Sequence, residues 1–143
     1  MNAATILKAK GREILTVRPE MTLEEAARVM AERGIGCVVV VDRPGALAGI
    51  LSERDIVREI ALGGAAKLKS RVADAMTRAV YCCRLSDTID QLLAEMTMRR
   101  FRHIPVVEQG ELIGLVSIGD VVKMRIAEAE METEAMRAYI ATA

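Results

Sequence analysis

Twice along this chain, apolar residues recur at helical spacing just behind a threonine. Leu23, Ala26, Ala27, Met30 and Ala31 follow Thr22, and Ile89, Leu92, Leu93 and Met96 follow Thr88. That recurrence marks one buried face of a helix. Thr22-Leu-Glu-Glu25 and Thr88-Ile-Asp-Gln91 both have the capping-box form, in which a hydroxyl and a side chain three residues on satisfy free backbone N–H groups. Gly34 is the expected stop for the first helix, whereas Arg100 stands at the second, which predicts a different ending. A short strand is predicted before each helix, at residues 14–17 and 80–83. Two apolar runs follow each helix. Residues 38–41 and 47–51 flank Asp42-Arg-Pro-Gly45, and residues 104–107 and 112–117 flank Gln109-Gly110, so each pair reads as a β-hairpin. The runs are apolar at consecutive positions, which predicts strands covered on both faces. A last helix begins after Ser52 or Ser117, carrying Ile56, Val57 and Ile60 in one case and Val121, Val122 and Met124 in the other.

The two passages are one unit written twice. A shift of 66 pairs Thr22 with Thr88, Met30 with Met96, Arg33 with Arg99, Val40 with Val106 and Val41 with Val107. After a one-residue indel in the turn, a shift of 65 pairs Leu47 with Leu112, Gly49 with Gly114, Ser52 with Ser117, Asp55 with Asp120 and Val57 with Val122. Identities in fixed order over both halves mark an internal duplication. Between the units, residues 62–70 carry Gly63-Gly64 and several lysines and read as an exposed link, and residues 71–76 as a short helix. Beyond Ala127 the tail is rich in Ala, Glu and Met. Met131, Ala135, Met136 and Tyr139 form one apolar stripe, expected to pack on the module or on a partner subunit.

Composition narrows the function classes. With 143 residues and 52% hydrophobic residues, the chain has material for a sizeable core and is not a disordered segment. Aromatic residues are only 2%, which leaves few rings for stacking bases. Lys+Arg and Asp+Glu are both 20, so no net charge draws the chain to nucleic acid or to an anionic membrane. Cys37, Cys82 and Cys83 fit neither a disulfide framework nor a zinc spacing and point to a reducing compartment. The longest apolar stretch, residues 37–41, is strand length. Residues 1–10 do not read as a secretory signal. A soluble, cytoplasmic protein is expected.

Gly49-Ile-Leu-Ser-Glu-Arg-Asp55 and Gly114-Leu-Val-Ser-Ile-Gly-Asp120 resemble the Gly-apolar-apolar-Ser/Thr-x-x-Asp ending of a cystathionine-β-synthase (CBS) motif. His103-Ile-Pro-Val-Val107 resembles its middle strand, and Met76-Thr77 the lead-in of a second repeat. The resemblance covers about residues 6–125. It implies an α/β (α+β) fold of tandem β-α-β-β-α repeats packed through their sheets as a pseudo-two-fold pair. Repeat one is expected at residues 6–62, repeat two at 72–126 and a C-terminal amphipathic helix at 127–143. The chain looks like a stand-alone bacterial-type two-repeat protein. It also implies a homodimer, an adenosine-containing ligand (AMP, ADP, ATP, NAD or S-adenosylmethionine), and a regulatory rather than catalytic role toward a partner protein.

Ser52 and Asp55, with Ser117 and Asp120, are the central candidates. A carboxylate offers two acceptor oxygens, which suits the vicinal diol of a ribose, and the adjoining helix N-terminus favours phosphate. Ser-x-x-Asp is also a serviceable capping box. Spacing by itself favours the cap, the resemblance favours the ligand, and the two roles are compatible. Arg54, Arg102 and His103 are the candidate phosphate contacts, a guanidinium being able to grip two phosphate oxygens. The reading against this is a solvated basic edge beside Arg99 and Arg100. By resemblance, the adenine slot paired with Asp55 uses Thr77, Val80, Tyr81, Phe101 and Pro105, and the slot paired with Asp120 uses Ile14, Thr16, Ile35, Gly36 and Val38. Unit one has Gly36-Cys37-Val38-Val39 where unit two has Arg102-His103-Ile104-Pro105. The Asp55 site is thus expected to be the better anion pocket. No metal site and no catalytic constellation is expected, since His103 is the single histidine and no nucleophile has a histidine partner. A second reading, an interaction homodimer with vestigial ligand sites, remains open.

Overall fold

The computed structural model describes residues 1–142. The elements run α1 (Ala3–Lys10), β1 (Thr16–Val17), α2 (Leu23–Arg33), β2 (Cys37–Arg43), β3 (Ala46–Ser52), α3 (Glu53–Gly63), a 3-10 helix (Ala65–Lys69), α4 (Val72–Ala75), α5 (Ile89–Arg99), β4 (His103–Glu108), β5 (Glu111–Ser117) and α6 (Ile118–Thr142). The fold is α+β, as expected. The chain forms two compact units, and neither is continuous in sequence. One comprises Glu13–Tyr81 with Val107–Ile113, and the other Met1–Arg12, Cys82–Val106 and the chain from Gly114 on.

In the first of these units, β1 runs parallel to β2 and β2 antiparallel to β3. The register sets Val38 opposite Leu51 and Val40 opposite Gly49. Cys37, Val38, Val39 and Val40 are all buried in sequence, so β2 is covered on both faces, whereas in β3 buried Gly49 and Leu51 alternate with half-buried residues. The core gathers Val17, Leu23, Ala26, Met30, Val38, Val40, Leu51 and Ile56, closed by Val72, Ala75 and Met76 of the segment after α3. Thr22 caps α2 through the reciprocal box with Glu25, and Gly34 ends it in the left-handed conformation at φ 63°.

The other unit repeats the plan with two differences. Its helix α5 is capped by Thr88 and Gln91 in the same box, but Arg100 takes the left-handed C-cap at φ 58°. The helix therefore stops by the same geometry as α2, in a residue that adopts it at a cost of about 1–2 kcal/mol. The strand expected at residues 80–83 shrinks to a single parallel bridge between Cys83 and Val106, with the Cys83 N–H donating to Pro105 O at 2.9 Å. Likewise, of the strand expected at residues 14–17 only Thr16–Val17 forms. The turn between β4 and β5 belongs to the first unit; its Gln109 and Gly110 both have positive φ, 51° and 79°, which turns the hairpin with the right-handed strand twist.

Two features depart further from the sequence pattern. Residues 3–10 form a capped helix: Asn2 accepts from the Thr5 N–H while Thr5 reciprocates, and Ala3, Ile6 and Leu7 are buried. The tail is no separate helix, because α6 runs unbroken from Ile118 to Thr142. Val121 is buried, whereas Met131, Met136, Tyr139 and Ile140 are exposed. Ala143, the last residue of the predicted tail helix, lies outside the described residues. No helix among the described residues is long and apolar enough to cross a membrane.

Burial, with the nearby Asp55 carboxylate adding to it, pushes the Cys37 thiol up to about 12. Burial also raises the thiol of half-buried Cys82. The thiolate is the reactive form, so Cys37 is expected to resist a thiol reagent in the native protein at pH 8 and to react fully only in denaturant. Labelling at Cys37 as fast as at Cys82, followed by peptide mass mapping, would contradict this burial.

Candidate functional site

Both Ser-x-x-Asp sequences fold as helix starts. At α3 the Ser52 N–H donates to Asp55 Oδ2 at 2.9 Å, the Ser52 hydroxyl donates to the same oxygen at 3.1 Å, and the Asp55 N–H donates to Ser52 Oγ at 3.3 Å. At α6 the Ser117 N–H donates to Asp120 Oδ2 at 2.9 Å, and the Asp120 N–H to Ser117 Oγ at 3.1 Å. The capping box is thus present at both ends. It fixes each carboxylate at the first turn of a helix, where the aligned N–H dipoles favour negative charge.

Each helix start is anchored to the residue just before the first strand of its hairpin. The Glu53 N–H donates to Gly36 O at 2.9 Å, and the Ile118 N–H donates to Arg102 O at 2.8 Å. Gly36 corresponds to Arg102 under the repeat, so the duplication extends to single hydrogen bonds. Within each unit this brings Gly36 beside Ser52–Asp55 and Arg102 beside Ser117–Asp120. The expected grouping of Arg102, His103 and Pro105 with Asp55 combines residues of different units and is a matter for proposal.

The two carboxylates are held differently. The Asp55 side chain is only 8% exposed, and Arg58 Nη2 donates to its Oδ1 at 2.7 Å. Both of its oxygens are therefore engaged. The Asp120 side chain is 23% exposed, and Lys10 Nζ donates to its Oδ2 at 2.7 Å. Its Oδ1 has no hydrogen-bond partner among the described residues. Burial works against the charge of Asp120, but the hydrogen bonds from Lys10 and Ser117 outweigh it and hold the carboxyl below its ordinary value. Neither Arg58 nor Lys10 was among the sequence candidates. Arg58 was readable as the third residue after Asp55 on a helix face. Lys10 was not, being 110 positions from its partner; the only signal was the Asn2-x-x-Thr5 box that starts its helix.

Of the phosphate candidates, Arg54 and Arg102 are exposed and His103 is half-buried. Among the slot candidates, Thr77, Thr16 and Ile35 are exposed, and Ile14, Gly36, Val80, Tyr81 and Phe101 are half-buried. Val38 and Pro105 are buried, so Val38 at 0% exposure can offer a ligand little of its side chain. The Thr77 N–H and carbonyl are both taken by Ile50, at 2.9 and 3.0 Å, which leaves its side chain as the part open to a ligand. Among the described residues no cluster of His, Cys, Asp and Glu is placed to hold a metal ion.

The profile of the CBS domain matches residues 10–62 and 72–126, once for each repeat. The CBS domain-containing protein CBSX3, mitochondrial, of Arabidopsis thaliana is 36% identical over 144 residues, covering 94% of this chain and 69% of that protein. Two further curated Arabidopsis relatives are matched over only 25% of their length. The crystal structure of the CBS-domain containing protein ATU1752 from Agrobacterium tumefaciens superposes with a TM-score of 0.85 at 46% identity, covering 87% of this chain and 99% of that one. The CBS domain pair of protein MJ0100, solved in complex with 5′-methylthioadenosine and S-adenosyl-L-methionine, has a TM-score of 0.78 at 22% identity over 90% of this chain and 98% of its own. With both repeats matched and the same fold in these relatives, the chain belongs to the CBS domain family.

Proposed function

We propose that this chain is a regulatory module that binds an adenosine nucleotide, AMP, ADP, ATP or NAD, and passes the binding event to a partner protein. The observation that carries the reading is the recurrence, at two helix starts, of a carboxylate fixed by its own serine. A carboxylate so placed accepts from a vicinal diol, and the helix N-terminus beside it favours the phosphate of the same ligand. The MJ0100 pair, which shares the fold, holds two adenosine compounds. Ser52 and Asp55, with Ser117 and Asp120, are assigned to ribose, and Arg54, Arg102 and His103 to phosphate. Thr77, Val80, Tyr81, Phe101 and Pro105 are assigned to the adenine accompanying Asp55, and Ile14, Thr16, Ile35, Gly36 and Val38 to that accompanying Asp120. No catalytic step is assigned to any residue. A cytoplasmic homodimer is the proposed working form, although one relative is named as mitochondrial.

A second reading is an interaction homodimer whose ligand sites are vestigial. The exposed Met131, Met136, Tyr139 and Ile140 on α6 favour it, since a row of exposed apolar side chains on one helix is a surface for association. A thermal-shift panel of AMP, ADP, ATP, NAD and S-adenosylmethionine separates the two. A ligand at 100 times its dissociation constant stabilises by roughly 2.7 kcal/mol, which for a chain of this size raises the midpoint by several degrees. No shift with any of the five rejects the nucleotide module and leaves the interaction protein.

A further inference from the structure

Lys10 is delivered to Asp120 by a helix that is itself fixed. Helix α1 is capped by Asn2, and its Ala3 and Ala4 N–H groups donate to Asp87 O and Leu85 O at 2.9 and 3.0 Å. Leu7 lies against Gly114, where a Cβ would meet its Cδ1 at 2.6 Å. From the last turn of this helix Lys10 Nζ reaches Asp120 Oδ2 at 2.7 Å and Leu115 O at 3.0 Å. Leu115 corresponds to Ile50 in the other repeat, and there the carbonyl accepts from a backbone N–H, that of Thr77, at 2.9 Å. A charged side chain in one repeat therefore does what the main chain does in the other. The repeat plan does not require this charge, and it bears directly on the carboxylate assigned to ribose.

We propose that Lys10 is a ligand-selecting residue, which makes the Asp120 end prefer anionic nucleotides over neutral nucleosides. The inference rests on the reading that this chain binds adenosine compounds. Without ligand the ammonium neutralises Asp120 and occupies Oδ2, while Oδ1 stays open. A diol that takes both carboxylate oxygens displaces Lys10 from Oδ2 and leaves it with the Leu115 carbonyl. A neutral nucleoside gives the displaced ammonium nothing in return. A nucleotide brings a phosphate, which restores a charge-assisted hydrogen bond. S-Adenosylmethionine, with a sulfonium cation near the same ribose, is disfavoured on the same ground.

Calorimetric titration of the full chain with AMP and with adenosine tests this, in the wild type and in an Asp55→Asn background that weakens the Asp55 end and so raises the share of the signal from the Asp120 end. Lys10 is 37% exposed, so Lys10→Gln is expected to fold normally, which the unfolding midpoint checks. In the background, AMP is expected to bind more tightly than adenosine. Lys10→Gln then narrows that ratio by roughly tenfold, the scale of one charge-assisted hydrogen bond, with AMP losing affinity and adenosine gaining it. Lys10→Arg preserves the ratio. An unchanged ratio in Lys10→Gln overturns the inference and leaves the functional reading intact, as does binding that vanishes altogether in the Asp55→Asn background. Failure of the wild type to bind either compound overturns the inference, and only the absence of a shift with all five compounds of the panel overturns the functional reading as well.

Discussion

Gly49→Ala is expected to lower the stability of the chain by about 1–3 kcal/mol, the usual cost of forcing a methyl group into a packed site. A Cβ built at Gly49 stands 2.7 Å from Met76 Sδ and 2.8 Å from Thr77 O. The thioether can swing aside, but the carbonyl cannot. It accepts from the Ile50 N–H at 3.0 Å while the Thr77 N–H donates to Ile50 O at 2.9 Å, so retreat of the segment breaks a reciprocal pair. Gly114 is the equivalent glycine, yet its closest neighbours are the terminal methyl groups of Leu7. Those can rotate, so Gly114→Ala is expected to cost less. Urea unfolding reads both, as a fall in midpoint at constant slope. A larger loss at Gly114 than at Gly49 would show that this account of the close approach is wrong.

That pair of glycines also shows what was legible in the sequence. Their position at the head of Gly-x-x-Ser-x-x-Asp was visible, and so were the Thr22 and Thr88 boxes, because caps and helix periods are local patterns. What lies over each glycine was not, since Met76 and Leu7 reach them from segments whose own patterns say nothing of the partner. The strands at residues 14–17 and 80–83 were overestimated for a related reason. Their apolar character is real, but pairing depends on how much of a neighbouring strand is free, and β4 takes up only Cys83. Arg100 shows the reverse case, taking a glycine-like turn that residue identity alone argued against. At the candidate site the sequence marked both serine–aspartate pairs as helix starts, which the hydrogen bonds of α3 and α6 show them to be. It missed the two cations that hold the carboxylates, because Lys10 meets Asp120 only through the fold.

Asp55→Asn is expected to separate the two roles of that carboxylate. The amide oxygen still accepts from the Ser52 N–H, so the cap survives. The amide nitrogen turns toward Arg58, whose side chain is 56% exposed and free to move into solvent. The guanidinium end of this pair lies in solvent but the carboxylate end is buried, so losing it is expected to cost about 1 kcal/mol without ligand. Asp55→Ala removes the acceptor for the Ser52 N–H as well and is expected to cost about 1–2 kcal/mol. Ligand binding discriminates on a different basis. A ribose diol needs two acceptor oxygens, and asparagine supplies one. At a nucleotide concentration giving the wild type roughly 2.7 kcal/mol of stabilisation, a tenfold loss of affinity leaves about 1.4 kcal/mol or less. Thermal unfolding of wild type, Asp55→Asn and Asp55→Ala, each with and without AMP, reads both quantities at once, and Asp120→Asn is expected to lose less of the ligand shift than Asp55→Asn. Were Asp55→Asn to keep the full shift, Asp55 would be a helix cap and nothing more, and the nucleotide would have to be held elsewhere.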